Sequence, residues 1–215
     1  MGKQAKDPGR KIEHQSSTVN GYNGSHIAAP LGELLLFART FLKYPNMVGW
    51  MLPSSQWVVN HIVEEVDWDQ ASLIVEYGPG LGTITTKLLD RMRPDARLIA
   101  LEINPIFATF LKKQLHDPRL RIIERSATEI AAVLAELGFS SADYVISGVP
   151  FKTMPHPVRD EIVRSTHGVL RPRGRFLVYQ LSSVVLPYLE DTFQNVQKTS
   201  ELLSFMPARV FSCAR

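Results

Sequence analysis

Apolar residues recur along this chain with two different periods. In LGELLLFARTFLKY, the residues Leu31, Leu34, Leu35, Ala38, Phe41 and Leu42 return at helical spacing, which predicts a helix over 31–43. Leu36 and Phe37 widen its apolar face, while Glu33, Arg39 and Lys43 lie away from the centre. Pro45, Gly49 and Pro53 interrupt the pattern, and Ser54 or Ser55 is placed to cap a second helix over about Gln56 to Val66. From there short apolar runs alternate with amphipathic stretches. SLIVEYG, RLIALEI, RLRIIE, ADYVISG and RFLVYQL read as strands. TITTKLLDRM, PIFATFLKKQL, TEIAAVLAEL and PVRDEIVRSTHGVL read as helices between them. Pro105 suits a first helical turn, Gly138 ends a helix, and RPRG reads as the turn into the fifth strand. VQKTSELLSFMPARVFSC predicts two further strands in an antiparallel pair.

Repeated β-α units with nearly continuous apolar strands predict an α/β fold, a doubly wound and mostly parallel sheet covered on both faces. The first 30 residues are polar and rich in Gly, Ser, Asn and Gln, so they are expected to be mobile or to order only on binding. The 215 residues and 45% hydrophobic content suit one full-sized core rather than two.

Composition adds little that is specific. A net charge of +3 suits a phosphate-bearing partner, nucleic acid or anionic lipid, and equally serves ordinary solubility. The single cysteine, Cys213, excludes a disulfide framework within the chain and fits a reducing compartment. The opening MGKQAKDPGRK lacks the apolar core of a signal peptide, and Lys6 stands where a myristoylation signal needs Ser or Thr. No run reaches the roughly 18 apolar residues of a membrane span. A cytoplasmic protein with at most peripheral membrane contact is therefore expected. The histidines at 14, 26, 61, 116, 156 and 167 have no ligand-like spacing, and no metal is expected.

EYGPGLGT is the most informative stretch. Glu76, Gly78, Gly80 and Gly82 close the first strand ahead of a helix starting near Thr83, the edge where open α/β sheets bind ligands. A dinucleotide fingerprint would place its third glycine at position 83, and that residue is threonine. The chain reads G-x-G-x-G instead, with an acidic residue two positions ahead as a partner for an ammonium group. This pattern resembles the class I S-adenosylmethionine-dependent methyltransferases, whose first motif is E/D-x-G-x-G-x-G.

The resemblance implies a seven-stranded Rossmann-like sheet with one antiparallel strand near the C-terminus, and S-adenosyl-L-methionine as cofactor, leaving as S-adenosyl-L-homocysteine. It puts the methionine part of the cofactor in the loop of Glu76, Tyr77, Gly78, Gly80, Gly82 and Thr83. Glu102 would take both ribose hydroxyls, Ile103 would cover an adenine face, and Asn104 follows. After the third strand many members carry Gly-Asp-Ala; here Ser126, Ala127 and Thr128 stand instead, and Ser126 or a backbone carbonyl would meet the adenine amine.

The fourth strand ends in Ser147-Gly148-Val149-Pro150-Phe151. Adenine and glutamine methyltransferases place Asn/Asp-Pro-Pro-Tyr/Phe there. This chain keeps a proline and an aromatic residue and lacks the amide, leaving only backbone carbonyls for a nucleobase amine. FARTFLKYPNMVGWMLPSS, VEYGPGLGTIT, ISGVPF and VLRPRGRFLVYQL together resemble the bacterial phospholipid N-methyltransferase family over about residues 35–215. Its members methylate the head-group amine of phosphatidylethanolamine, and relatives methylate aminolipids such as ornithine lipids.

That likeness implies an N-terminal segment 1–30, a helical lid or membrane-contact region 31–66 and a catalytic domain 67–215. It counts Ser54 and Ser55 among the cofactor residues, together with Ser147. It places Ser147, Gly148, Pro150 and Phe151 at the reacting centre, with His156 or Glu76 as proton relay. Phe151, and less directly Tyr179 and Tyr44, offer aromatic faces to a cationic amine. Phe37, Arg39, Phe41 and Lys43 would meet lipid at the inner face of the cytoplasmic membrane, with no nucleic acid partner and a monomeric chain. Two other functions compete: a ribosomal RNA adenine N6-dimethyltransferase, and a cofactor-sensing membrane-binding protein without turnover.

Overall fold

A computed structural model describes residues 56–200 and 208–215. The expectations for residues 1–55, including the 31–43 helix, Phe37, Arg39, Phe41, Lys43, Tyr44, Ser54 and Ser55, lie outside the described residues. Seven strands form one sheet in the order β3-β2-β1-β4-β5-β7-β6. They are β1 (Leu73–Tyr77), β2 (Arg97–Leu101), β3 (Leu120–Ile123), β4 (Ala142–Ser147), β5 (Leu170–Gln180), β6 (Asn195–Ser200) and β7 (Arg209–Ala214). Among these strands only β7 runs against its neighbours, between β5 and β6, as the tail pair predicts.

Strand alternation builds two cores. Leu73, Val75 and Tyr77 of β1 join Ile99, Leu101, Val145, Phe176 and Val178 on one face. That face packs against α4 (Ile130–Glu136), α5 (His156–Val169) and α6 (Leu186–Thr192). Ile74, Leu98, Ile146 and Leu177 point the other way, against α1 (Gln56–Glu64) and α2 (Thr83–Arg91). Val58, Val59 and Ile62 of α1 are buried there, so the described part of segment 31–66 is a wall of the catalytic core. A further helix, α3 (Pro105–Gln114), covers β3. Asn104 caps it by accepting from the Ile106 N–H at 3.0 Å, with Pro105 in the first turn.

Two details depart from the sequence pattern. The Arg171-Pro172-Arg173-Gly174 stretch lies inside β5, where it makes a bulge between Ala142 and Tyr144 of β4. Its turn chemistry serves that bulge: Arg173 has φ 66°, and a Cβ on Gly174 would lie 2.8 Å from the Arg171 carbonyl. α6, LPYLEDT, escapes the periodicity because it is two turns long.

The base of the sheet is pinned by Asp143. Its Oδ2 accepts from the N–H groups of Ser72 and Leu73, both at 2.7 Å, and its other oxygen meets Arg171. Asp143→Ala would strand two backbone donors at the start of β1. It is expected to cost about 3 kcal/mol, read as a lower midpoint in urea with an unchanged slope.

Candidate active site

The carboxyl edge of β1, β2 and β4 gathers three loops. After Tyr77 the chain leaves the sheet through Gly78, whose N–H donates to the Leu101 carbonyl at 2.9 Å. Gly78, Gly80 and Gly82 all have positive φ, at 67°, 57° and 82°. At Gly82 a Cβ would also lie 2.8 Å from Cδ2 of Leu111, so the loop is pressed onto α3. At Gly78 it would lie 3.0 Å from Cγ1 of Val149, so the glycine loop touches the loop after β4.

Two carboxyl groups flank this loop. Glu102, at the end of β2, accepts from the Gly80 N–H at 3.1 Å and the Asn104 N–H at 2.8 Å. Burial raises its pKa, and these backbone donors partly offset the shift. Glu76 is fully buried, and its Oε2 accepts from the Thr85 hydroxyl at 2.7 Å. Burial pushes its pKa up to about 7; the Thr85 bond opposes this and the nearby Glu102 charge adds to it. Its Oε1 is buried without a partner, as are Asn104 Nδ2 and Ser147 Oγ.

Glu76 Oε1 and Asn104 Nδ2 lie at or just after the carboxyl ends of β1 and β2, whereas Ser147, level with Tyr77 and Val178, turns its side chain to the opposite core, away from the face of Glu76. An unpaired buried group costs about 1–3 kcal/mol, so the edge has the donors and acceptors for a polar ligand. An ammonium fits Glu76 Oε1. Ribose hydroxyls fit the Glu102 carboxylate, and the 58% exposed Ile103 beside it presents an apolar face for adenine. The residues present therefore fit S-adenosylmethionine. Thr83 is exposed at the start of α2.

Several expected residues turn elsewhere. Tyr77 follows Glu76 and so points to the opposite face, where it is fully buried and its hydroxyl meets Thr166 Oγ1 at 3.0 Å. Its side chain serves the core, and only its backbone borders the loop. Ser126 spends its hydroxyl accepting from the Thr128 N–H and Thr128 Oγ1 in a capping box with Glu129, with Ala127 buried beside it. Phe151 is fully buried among Tyr77, Ile162 and Phe176 in the core, so it gives no aromatic wall to a substrate. His156 is exposed at the start of α5, and its Nδ1 is paired with the Tyr188 hydroxyl on α6. Glu76, the other residue expected as a relay, is buried at the end of β1.

The loop after β4 is held internally. Val149 O accepts from Gln180 Nε2 at 2.6 Å and from the Phe151 N–H at 2.9 Å. Pro150 O accepts from both the N–H and the hydroxyl of Thr153, each at 3.0 Å. The Val149 and Pro150 carbonyls, two of the backbone acceptors in this loop, thus each already accept two hydrogen bonds. Tyr179 closes the other side, its phenol set against Gly148.

Thr85, Gln180 and Arg159, which donates to Lys152 O at 3.1 Å, are contributors that pattern reading misses. Only Thr85 carries a signal, since the third residue of a helix behind a glycine loop faces back to the strand it left. Thr85→Val would take the partner from Glu76 Oε2, and about a tenfold weaker affinity for S-adenosylhomocysteine is expected, with Thr85→Ser near wild type; titration calorimetry reads both.

The fold and this edge define a class I S-adenosylmethionine-dependent methyltransferase. A family model described as ribosomal RNA adenine dimethylase matches residues 52–134. The ornithine lipid N-methyltransferase of Singulisphaera acidiphila is 29% identical over 183 residues, which cover 84% of this chain and 95% of that protein. Ribosomal RNA small subunit methyltransferase A of Mycoplasma capricolum is 32% identical over 114 residues, covering 51% of this chain and 41% of that protein. Among solved structures, a putative rRNA methylase from Clostridium thermocellum superposes with a TM-score of 0.60 at 16% identity, over 76% of this chain and 97% of that one, a likeness of fold.

Proposed function

We propose that this enzyme transfers a methyl group to the amine head group of a membrane lipid, phosphatidylethanolamine or a related aminolipid such as ornithine lipid. The observation that carries the reading is the end of β4. Ser147-Gly148-Val149-Pro150 offers no side-chain amide or carboxylate, and the carbonyls of Val149 and Pro150 are spent within the protein. The likeness to the ornithine lipid enzyme along nearly its whole length supports it. The ribosomal RNA adenine dimethylase reading rests on the match over 52–134, which contains the glycine loop and stops before β4 begins at Ala142. That match speaks to the cofactor half and not to the acceptor.

S-adenosylmethionine supplies a methyl group on a positively charged sulfur, already activated for transfer. Glu76 Oε1 would hold its ammonium and Glu102 its ribose, so the chain contributes chiefly position. With the cofactor so held, the chain would set the amine lone pair in line with that methyl carbon, and S-adenosylhomocysteine would be the product left behind. An amine like that of lysine is protonated at neutral pH, so one proton must leave nitrogen on the way in. That proton leaves to solvent as the amine docks, since Glu76, once paired with the cofactor ammonium, is held as the carboxylate and spent on that contact. Peripheral binding at the inner face of the cytoplasmic membrane through residues 31–43, with a monomeric chain, completes the proposal.

The test is transfer of a labelled methyl group, with vesicles of phosphatidylethanolamine, vesicles of ornithine lipid and undermethylated ribosomal RNA offered in parallel. Label in a lipid supports the reading and names the acceptor. Label confined to RNA overturns it.

A further inference from the structure

Arg159, at the end of the first turn of α5, is only 9% exposed. A guanidinium taken out of water ordinarily meets a carboxylate, because a buried charge without a counter-charge is costly. No carboxylate meets this one among the described residues. Its Nη2 donates to the Lys152 carbonyl at 3.1 Å, and its Cζ stands 6.0 Å from the centre of the Tyr188 ring. Its Nε is buried without a partner. Asp160, the next residue, is taken by Arg164, whose Nε lies 2.9 Å from both of its oxygens, and Glu161 is exposed.

The place of this arginine in the fold gives the orphaned charge a meaning. β4 ends at Ser147, and the chain passes through the short turn Phe151–Thr153 into α5. The N-terminus of α5 therefore stands at the carboxyl edge of the sheet, on the acceptor side, with the positive end of a 14-residue helix. Lys152 is exposed on the turn, so a second cation stands beside the first. His156 is occupied by the Tyr188 hydroxyl and so fixes the ring that the guanidinium faces.

We infer that Arg159, with Lys152 and the start of α5, forms an anion subsite that takes the acidic group of a zwitterionic lipid head group while its amine is methylated. This rests on the aminolipid reading above and adds the group that selects among amines. Phosphatidylethanolamine carries a phosphate, and ornithine lipid a carboxylate, a few bonds from the reacting nitrogen, so both acceptors share this chemistry. The orphaned Nε–H is a donor for such an oxyanion, and the planar fork of a guanidinium matches either one. Fixing the anion at one end of the head group limits where the amine at the other end can go, and so helps bring it onto the methyl carbon. An aliphatic amine with no anion beside it would lose that hold.

The proposal is tested on the full chain with vesicles of phosphatidylethanolamine, vesicles of ornithine lipid, and phosphatidylcholine vesicles carrying oleylamine, a primary amine with no neighbouring anion. In kcat/KM the wild type is expected to prefer at least one of the two zwitterionic lipids to oleylamine about 30-fold. Arg159→Met keeps an apolar stem and loses the charge; its preference is expected to fall to about threefold or less, with the affinity for S-adenosylhomocysteine near wild type. Lys152→Ala, at an exposed position, is expected to lower the preference about threefold. Inorganic phosphate should inhibit the wild type competitively against the lipid and spare Arg159→Met. The lipid whose advantage disappears in Arg159→Met names the anion as phosphate or carboxylate. A structural role for Arg159 would slow transfer to every amine alike. An unchanged preference in Arg159→Met, or in Lys152→Ala should the first variant fail to fold, overturns the inference and leaves the lipid reading intact. So does a wild type that uses oleylamine as well as either lipid. Inhibition by phosphate with the lipid preference unchanged means a site for the free anion alone, and overturns it equally. Label from the wild type in RNA alone overturns the lipid reading itself, and the head-group subsite with it.

Discussion

Glu102→Ala is expected to abolish useful cofactor affinity, with S-adenosylhomocysteine binding weakened about 100-fold or more. The carboxylate performs two tasks. Toward the protein it accepts from the N–H groups of Gly80 and Asn104, tying the middle of the glycine loop to the start of α3. Toward a ligand it faces two ribose hydroxyls. Hydrogen bonds to a charged group contribute about 1.5–3 kcal/mol each, so two lost to the ligand amount to at least about 3 kcal/mol, and each 1.4 kcal/mol is tenfold in affinity. Alanine also leaves the two backbone donors without their partner. Glu102→Gln separates the tasks, since its amide oxygen can keep one backbone bond while the charge is gone; an intermediate loss of about tenfold is expected. Equal affinity in wild type and Glu102→Ala by titration calorimetry would remove Glu102 from the site.

The second large effect is a pH dependence centred on Glu76. Its pKa in the folded protein is about 7 against an ordinary 4.5. The folded state therefore binds this proton more tightly than the unfolded chain does. Stability from that proton is fully present below about pH 4.5 and is lost as pH rises through 7. The difference corresponds to about 3 kcal/mol, or about 6–12 °C in melting temperature for a chain of this size. Ligand-free protein is thus expected to melt lower at pH 8 than at pH 5. Glu102, also raised, adds in the same direction. Glu76→Gln keeps the shape, removes the titration and is expected to flatten most of the slope. Saturating S-adenosylhomocysteine should flatten it in the wild type, because an ammonium against Oε1 favours the charged carboxylate. A melting series from pH 5 to 8 decides it; an unchanged slope in Glu76→Gln would assign the proton elsewhere.

The positions of Glu76 and Glu102 are legible in the sequence, because glycines, strand ends and a helix start leave a strong local pattern. The β-α alternation is legible for the same reason, and so is the antiparallel strand. Side-chain direction is less so. The motif sends both Glu76 and Tyr77 to the ligand, yet neighbours in a strand face opposite ways, and the parity rule alone sends one of them to the core. Phe151 and His156 depart from expectation for a tertiary reason. A short helical turn swings Phe151 under the sheet, and α6, invisible in the pattern, supplies the partner that takes His156. Ser126 suits a ligand contact by its place after β3, but its spacing to Glu129 is equally that of a capping box. The Tyr179–Gly148 fit is not legible at all, since it depends on the register of β5 against β4 across a bulge.

The position of β7 has a kinetic consequence. β6 is synthesised before β7, yet β7 separates it from β5. A growing chain that has made Asn195–Ser200 and not yet Arg209–Ala214 has β5 with one edge unpaired. That edge runs along Phe176, Leu177 and Val178, all fully buried once β7 is in place. An open apolar edge of this kind is a template for pairing with another chain. The sheet closes only when β7 enters the gap between β5 and β6, and the nascent protein is more aggregation-prone before that step than after it.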